Sequence, residues 1–366
     1  MKAVFRCDAS IQIGTGHVMR CLTLADALRS EGVESHFICR EHAGHLLELI
    51  AQWGYQSYGL PYTDQVQGSD EDVLEHASWL GATQKEDAKH CGEILQTLQP
   101  DWLIVDHYAL DIFWESAMRS YCQKIMVIDD LADRSHDCEI LLDQTYGRDK
   151  GDYAIWVPEN CLVLCGTNYA LLRPEFAQWR GYSLDRRKTG RLDHLLINLG
   201  GVDKDNVTTQ ILKGLQETFL PERCKITVIM GSTAPWIKSV KGQASLMRWQ
   251  TEIKTGVSNI AEIMSNSDLA IGAAGSTSWE RCCLGLPTIM LVLAENQKTI
   301  AHNLEQANAV FSVEVDINLK STIQKSIEYF VSQKPALVNM SHSASDILNG
   351  FGSTLIVKNM MNQYVQ

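Results

Sequence analysis

AVFRCDASIQIGTGHVMRCLTLADALRSEG, Ala3 to Gly32, reads as a buried strand, a glycine-rich turn and a helix. Val4 and Phe5 form a short apolar run that ends at Asp8, whereas Val18, Cys21, Leu22, Leu24, Ala25 and Leu28 recur at helical spacing and mark one buried face. The period changes between them, at Gly14 to His17. Gly14 and Gly16 permit backbone angles closed to other residues and let a ligand approach the main chain. The helix that follows offers unpaired N–H groups and the positive end of its dipole. Such a turn suits an anionic or sugar ligand.

His17 stands where the turn becomes the helix, over the carboxyl end of the strand, where open α/β sheets bind ligands. A general base could work there; the plainer alternative is a histidine that only satisfies a local hydrogen bond. The spacing G-x-G-H differs from the dinucleotide fingerprint G-x-G-x-x-G, and no P-loop GK[ST] follows, so neither an NAD site nor an ATPase is indicated.

The chain has 366 residues, more than one hydrophobic core usually serves, and its 45% apolar fraction is enough for two. No apolar run reaches the length of a membrane-spanning helix, and Met1 leads directly into a strand, so a cytoplasmic protein with no membrane partner is expected. Eleven cysteines without regular spacing, Cys282 and Cys283 adjacent among them, fit reduced thiols better than disulfides or a zinc site. A net charge of −12 argues against nucleic acid as a partner.

From Ser35 the chain alternates strand and helix as a parallel sheet requires: SHFICR, HLLELIAQWG, EDAKHCGEILQTLQP. DWLIVDHYALD then brings Asp106, His107 and Tyr108 to a strand end, and KIMVIDDL brings Asp129 and Asp130 to another. Paired acids there could hold Mg²⁺ or do acid–base work; alternatively one caps a loop and the other pairs with Arg134 or His136. Gln178 to Arg191 is polar with no apolar period and reads as the domain boundary. The alternation restarts at HLLINLGGVDKDN, where a buried strand runs into Gly200 and Gly201, and continues through KITVIMG, a helix around Trp236, a strand SLMRWQ, the helix NIAEIMSNS and the strand LAIGA. In AAGSTSWERCCLGLPTIMLV, Gly275 and Ser276 open a helix whose N–H groups and small hydroxyls would cradle phosphate. Glu280, one turn in, is placed to bind two ribose hydroxyls; an ordinary N-cap followed by an exposed Glu is the alternative.

Two doubly wound, Rossmann-like α/β domains, one with a glycine-rich loop and His and one with a nucleotide-diphosphate cradle, resemble the GT-B fold, whose ligand lies in an interdomain cleft. The expected division is residues 1–180, then 190–350 for UDP, with 351–366 a helix packing back on the first domain. RCDASIQIGTGHVMRCLTLA, WLIVDHYALD, VIDDLADRSHDCEILLDQ, YALLRPEF, NLGGVD and GSTSWERCCLGLPTI together resemble the UDP-2,4-diacetamido-2,4,6-trideoxy-β-L-altropyranose hydrolases of pseudaminic acid biosynthesis. The IGTGH loop alone does not distinguish these from the peptidoglycan N-acetylglucosaminyltransferase. DHY, IDDL and YALLRPEF do.

This resemblance implies hydrolysis of a UDP-linked diacetamido sugar by water at the anomeric carbon, with inversion and without metal or other cofactor. It makes His17 the water-activating residue with Tyr108 beside it. Gly14, Thr15, Gly16, Arg20, Arg173, Gly200, Gly201 and Asn296 would contact the substrate, and Gly275, Ser276, Thr277 and Glu280 would hold UDP. A glycosyltransferase would need a second acceptor site; a non-catalytic nucleotide-sugar binder would keep the 275–280 cradle without needing His17.

Overall fold

Among the described residues, short apolar runs flanked by polar strand ends give thirteen strands, all paired in parallel, in two sheets. The computed structural model describes residues 1–62 and 74–365, apart from the side chains of Asn296 and Val365. Two units are present: residues 1–171 together with 352–366, and residues 172–351.

The first unit contains β1 (Lys2–Cys7), β2 (Glu34–Arg40), β3 (Gln56–Leu60), β4 (Trp102–Asp106), β5 (Lys124–Ile128), β6 (Ile140–Asp143) and β7 (Leu162–Cys165). Their spatial order is β3-β2-β1-β4-β5-β6-β7, so the winding reverses between β1 and β4. Residues alternate between two buried faces: Phe5, Cys7, Ile104 and Met126 pack under the helix Gly16–Ser30, while Val4, Leu103, Val105 and Val127 pack with Leu95 and Trp114 on the other side. The helix Gly352–Val365 supplies Ile356, Val357 and Met360 to the first of these faces.

The second unit contains β8 (His194–Asn198), β9 (Lys225–Met230), β10 (Thr251–Thr255), β11 (Leu269–Ala273), β12 (Thr288–Val292) and β13 (Phe311–Glu314). Their order is β10-β9-β8-β11-β12-β13, with the reversal between β8 and β11. In both sheets the turns singled out in the sequence follow the two strands at the reversal, where doubly wound sheets open a ligand crevice. The two doubly wound α/β sheets have the architecture expected of the GT-B type.

Two local expectations are corrected. The polar stretch from Gln178 is not a linker: residues 174–187 form one helix of the second unit, and the division between units falls at Leu171 and Leu172. The helix lacks an apolar stripe because its inner face binds backbone: the Ser183 hydroxyl donates to Leu284 O at 2.7 Å, and Arg187 donates to Met264 O and Ser267 O, both at 2.8 Å. SLMRWQ is a turn rather than a strand. The Trp249 indole N–H donates to Pro221 O at 3.1 Å with Arg248 stacked on its ring, and the strand begins only at the β-branched Thr251. The edge strands β3 and β13 are too short and polar to be seen in the sequence.

A buried ionic network fixes the back of the first sheet. Asp87, on the helix Gln84–Leu98 that Thr83 and Glu86 cap reciprocally, accepts from Arg6 at 3.1 and 2.7 Å, from Arg40 at 2.6 Å and from the Trp114 indole at 3.0 Å. Replacing one partner of such a network strands the others without compensation. Asp87→Ala is therefore expected to lower the stability of the first unit by about 3–5 kcal/mol, read from urea denaturation. A loss under about 1 kcal/mol would show that the two guanidiniums rehydrate.

Candidate active site

The loop after β1 folds on itself. Ser10 and Gly14 exchange backbone hydrogen bonds of 3.3 and 2.9 Å, and Ser10 Oγ accepts from Gln12 N and Ile13 N at 3.1 and 2.8 Å. Gly14 has φ +83° with open space where a Cβ would stand, so the glycine is required by its backbone angle and not by crowding. Thr15 precedes the helix Gly16–Ser30 and makes no side-chain cap.

His17 and Arg20, one turn apart on that helix, both point at Asp106 at the end of β4. His17 Nδ1 lies 2.6 Å from Asp106 Oδ1, and Arg20 donates from Nε to Oδ2 and from an Nη to Oδ1, each at 2.6 Å. A second Arg20 Nη donates to Asp130 at 2.9 Å, and the Tyr108 hydroxyl donates to the other oxygen of Asp130. The Tyr108 ring meets the His17 ring edge-on at 4.7 Å. Burial works against ionisation of Asp106, yet Arg20 and His17 outweigh it and hold the carboxyl well below the usual range. A carboxylate there requires a proton on His17 Nδ1, which leaves the Nε2 lone pair as the basic one. Burial, then Asp130, push the Tyr108 hydroxyl far up, so it is a neutral donor committed to Asp130.

His107, between Asp106 and Tyr108, turns to the opposite face. Its Nδ1 accepts from Ala109 N at 3.0 Å, and its Nε2 lies 3.2 Å from Asp8 Oδ2, while Asp8 Oδ1 accepts from Arg6 at 2.6 Å and from Arg40 N at 2.7 Å. Burial lowers the His107 pKa, which keeps the ring neutral. The two acids after β5 also part: Asp129 pairs with Arg134 at 2.8 Å and accepts from Leu131 N, Ala132 N and the Tyr153 hydroxyl. Asp130 belongs to Arg20 and Tyr108. They do not converge on a shared point as a Mg²⁺ site would require, which favours the alternative of a loop cap and ion pairs, although Asp130 binds Arg20 instead of Arg134 or His136.

In the second unit Gly200 has φ +93°, and Gly231 packs so closely on Gly201 that a Cβ would stand 2.1 Å from Gly201 O. The next helix, Val207–Leu215, already has an anion at its start: Asp203 accepts from Val207 N at 2.9 Å and Thr208 N at 3.0 Å. After β11, Gly275 and Ser276 lead into the helix Thr277–Cys283 with no side-chain cap. Behind that turn Arg281 is buried, donating to Ala273 O at 2.7 Å, Thr277 Oγ1 at 3.0 Å and Ser278 Oγ at 3.2 Å. Among the described residues no carboxylate pairs with it, and burial pulls its pKa down to about 10. Glu280 is half-buried; desolvation pushes its carboxyl up to about 7, against the pull of Arg173. Arg173 itself contacts Glu175 at 2.9 Å.

The structure thus joins His17 and Tyr108 in one cluster. Arg20, expected to contact the substrate, binds Asp106 and Asp130 through its guanidinium. Gly275, Ser276, Thr277, Glu280 and Arg173 belong to the second unit, and the Asn296 side chain lies outside the described residues. The sequence reading gave no role to Asp106 or Arg281. The first had a signal, the i, i+3 spacing of His17 and Arg20, which puts both on one helix face looking for a common anion.

Glu280 provides a test of the second unit. Its folded pKa of about 7 exceeds the 4.5 of an unperturbed Glu, so ionising it costs stability. That cost is absent below pH 4.5, grows as pH rises and is complete above about 7. Glu280→Gln is expected to stabilise the protein at pH 8 by on the order of 1–3 kcal/mol and to change little at pH 4.5, measured by denaturant titration. Equal effects at both pH values would mean the carboxyl is well solvated.

Residues 197–360 match the glycosyltransferase family 28 C-terminal domain. Over 302 residues the chain is 28% identical to the UDP-2,4-diacetamido-2,4,6-trideoxy-beta-L-altropyranose hydrolase of Campylobacter jejuni, covering 82% of this chain and 95% of that one. It is 25% identical over 304 residues to an uncharacterized protein of Methanocaldococcus jannaschii, covering 81% of this chain but only 57% of that longer protein. In fold it matches MurG of Acinetobacter baumannii with a TM-score of 0.65 at 13% identity, over 99% of both chains. The chain is therefore similar over most of its length to a UDP-sugar hydrolase, on a GT-B-type fold with a family 28 glycosyltransferase match in its second half.

Proposed function

We propose that this protein hydrolyses a UDP-linked 2,4-diacetamido-2,4,6-trideoxy sugar to the free sugar and UDP, with inversion at the anomeric carbon and without metal, as a step of pseudaminic acid biosynthesis. The observation that carries this reading is the 2.6 Å contact of His17 with an Asp106 whose charge Arg20 secures. The similarity to the Campylobacter hydrolase supplies the substrate class.

In this reading His17 Nε2 takes a proton from water while the water oxygen bonds to the anomeric carbon and the carbon–oxygen bond to UDP breaks, its electron pair leaving with the diphosphate. Asp106 stabilises the imidazolium that forms. Arg20 keeps the carboxylate weakly basic, so the proton on Nδ1 stays on the ring. Tyr108 walls the ring from the side. UDP needs charge stabilisation more than a strong acid to depart. The uncapped turn Gly275 to Thr277 with Arg281 behind it is suited to that role. Glu280 can accept both ribose hydroxyls only when ionised. Affinity for a UDP-sugar, whose diphosphate does not titrate near neutrality, is accordingly expected to fall as pH drops through about 7, measured by calorimetry. A flat profile from pH 8 to 6 would remove Glu280 from the ribose.

The family 28 match favours a second reading, transfer of the sugar to another acceptor. Release of UDP with water as the sole acceptor decides between them. His17→Ala is expected to keep UDP affinity and to lose about 10²–10⁴ in turnover. Reaction in ¹⁸O-water should label the sugar; label on UDP would mean attack at phosphorus and would overturn the role of His17. Activity is expected to persist in excess EDTA, and a loss restored by Mg²⁺ would show a metal requirement.

A further inference from the structure

Two aromatic side chains that the mechanism does not use stand beside the His17 cluster. His76 precedes the short 3-10 turn Ala77–Trp79, and Trp79 ends it. Their rings lie 4.5 Å apart at 41°. Each also leans on Tyr108, His76 at 5.3 Å and 38°, Trp79 at 5.7 Å and 33°. Tyr108 in turn touches His17. The three rings are therefore mutually tilted by similar small angles, and they continue from the side chain that would hold the reacting water.

Their burial differs in a telling way. Tyr108 is buried with its hydroxyl spent on Asp130, whereas His76 and Trp79 are half-buried and keep part of their surface open. A Trp placed only for packing gains most by burying its whole ring, about 1.5–3 kcal/mol for a large apolar side chain. An aromatic surface left partly open next to a water-activating His is what ligand sites use to hold the apolar portion of a substrate.

We propose that Trp79 and His76 are specificity-determining residues that take the apolar side of the sugar, its 6-deoxy methyl and 4-acetamido methyl. This inference rests on the reading of His17 given under the proposed function. A sugar with a hydroxyl at C4 and C6 presents polar groups to the same rings and gains little from them. The rings thus discriminate by apolar contact, while the nucleotide is recognised by other residues.

The test compares wild type, Trp79→Ala, Trp79→Phe and His76→Ala, using the UDP-diacetamido-trideoxy sugar as substrate and UDP-N-acetylglucosamine as competitive inhibitor. Trp79→Ala is expected to raise KM at least tenfold with kcat within threefold and the inhibition constant within threefold. Trp79→Phe should return KM to within threefold of wild type, and His76→Ala should raise KM by a smaller factor without moving the inhibition constant. If KM and the inhibition constant rise together, or kcat collapses while KM holds, the rings only pack the site and the proposal falls; it falls equally if neither constant moves. Should Trp79→Ala not fold, Trp79→Phe and His76→Ala carry the same comparison. A wild-type protein that does not turn over the diacetamido substrate overturns the reading of function, an outcome distinct from an active wild type with unaltered variants.

Discussion

A carboxylate sealed inside protein is unstable unless cations neutralise it, and the first unit is arranged around satisfying one such group. Asp106 sits at the end of β4 with no exposure to water. Arg20 answers it with two parallel hydrogen bonds, the geometry at which a guanidinium binds a carboxylate best. The histidine is left with the remaining lone pair. Because the arginine, the histidine and the glycine turn are consecutive on one segment, the position of Asp106 relative to β1 sets the aim of the imidazole. Lys at position 20 could supply charge but not the fork that also reaches Asp130.

A second ionic cluster, Arg6, Asp8, Arg40 and Asp87, occupies the opposite face of β1. Strand alternation separates the two: Cys7 faces the Asp106 side and Asp8 the other, while His107 and Asp106 split in the same way on β4. The loop between Asp8 and His17 is consequently held at its origin by one cluster and at its end by the other. This explains how a stretch with an open glycine can keep a fixed path without a side-chain helix cap.

Most of the architecture was legible because parallel strands buried on both faces read as unbroken apolar runs, as in WLIV and KIMVI, and because the glycine turns interrupt them at the sheet reversals. What could not be read was tertiary in origin. The helix 174–187 hides its inner face in hydrogen bonds from Ser183 and Arg187 to carbonyls, so its sequence carries no apolar stripe. SLMRWQ carries apolar residues at alternate spacing only in part, and its Trp249 is spent on a single carbonyl. At the candidate site His17 and Tyr108 were visible as types and positions. The pairing of Arg20 with the buried Asp106 and the half-buried Asp130 was not legible, since nothing in a sequence says that a cation is already matched by acids from two other strand ends. Arg281 was silent for the opposite reason: a buried guanidinium answered by carbonyls and hydroxyls has no charged partner to suggest it.

The helix Gly352–Val365 closes the core of a unit whose other residues all precede position 172. During synthesis the whole of residues 172–351 therefore leaves the ribosome before the first unit can bury Ile356, Val357 and Met360. At translation speeds of about 5–20 residues per second this is a wait of order ten seconds or more, with apolar surface near the helix Gly16–Ser30 uncovered. The unit that begins first is the one that finishes last, and the second unit completes its own sheet in the interval. Chaperone dependence would accordingly concentrate on the nascent first unit, at the groove that its own distant segment later fills.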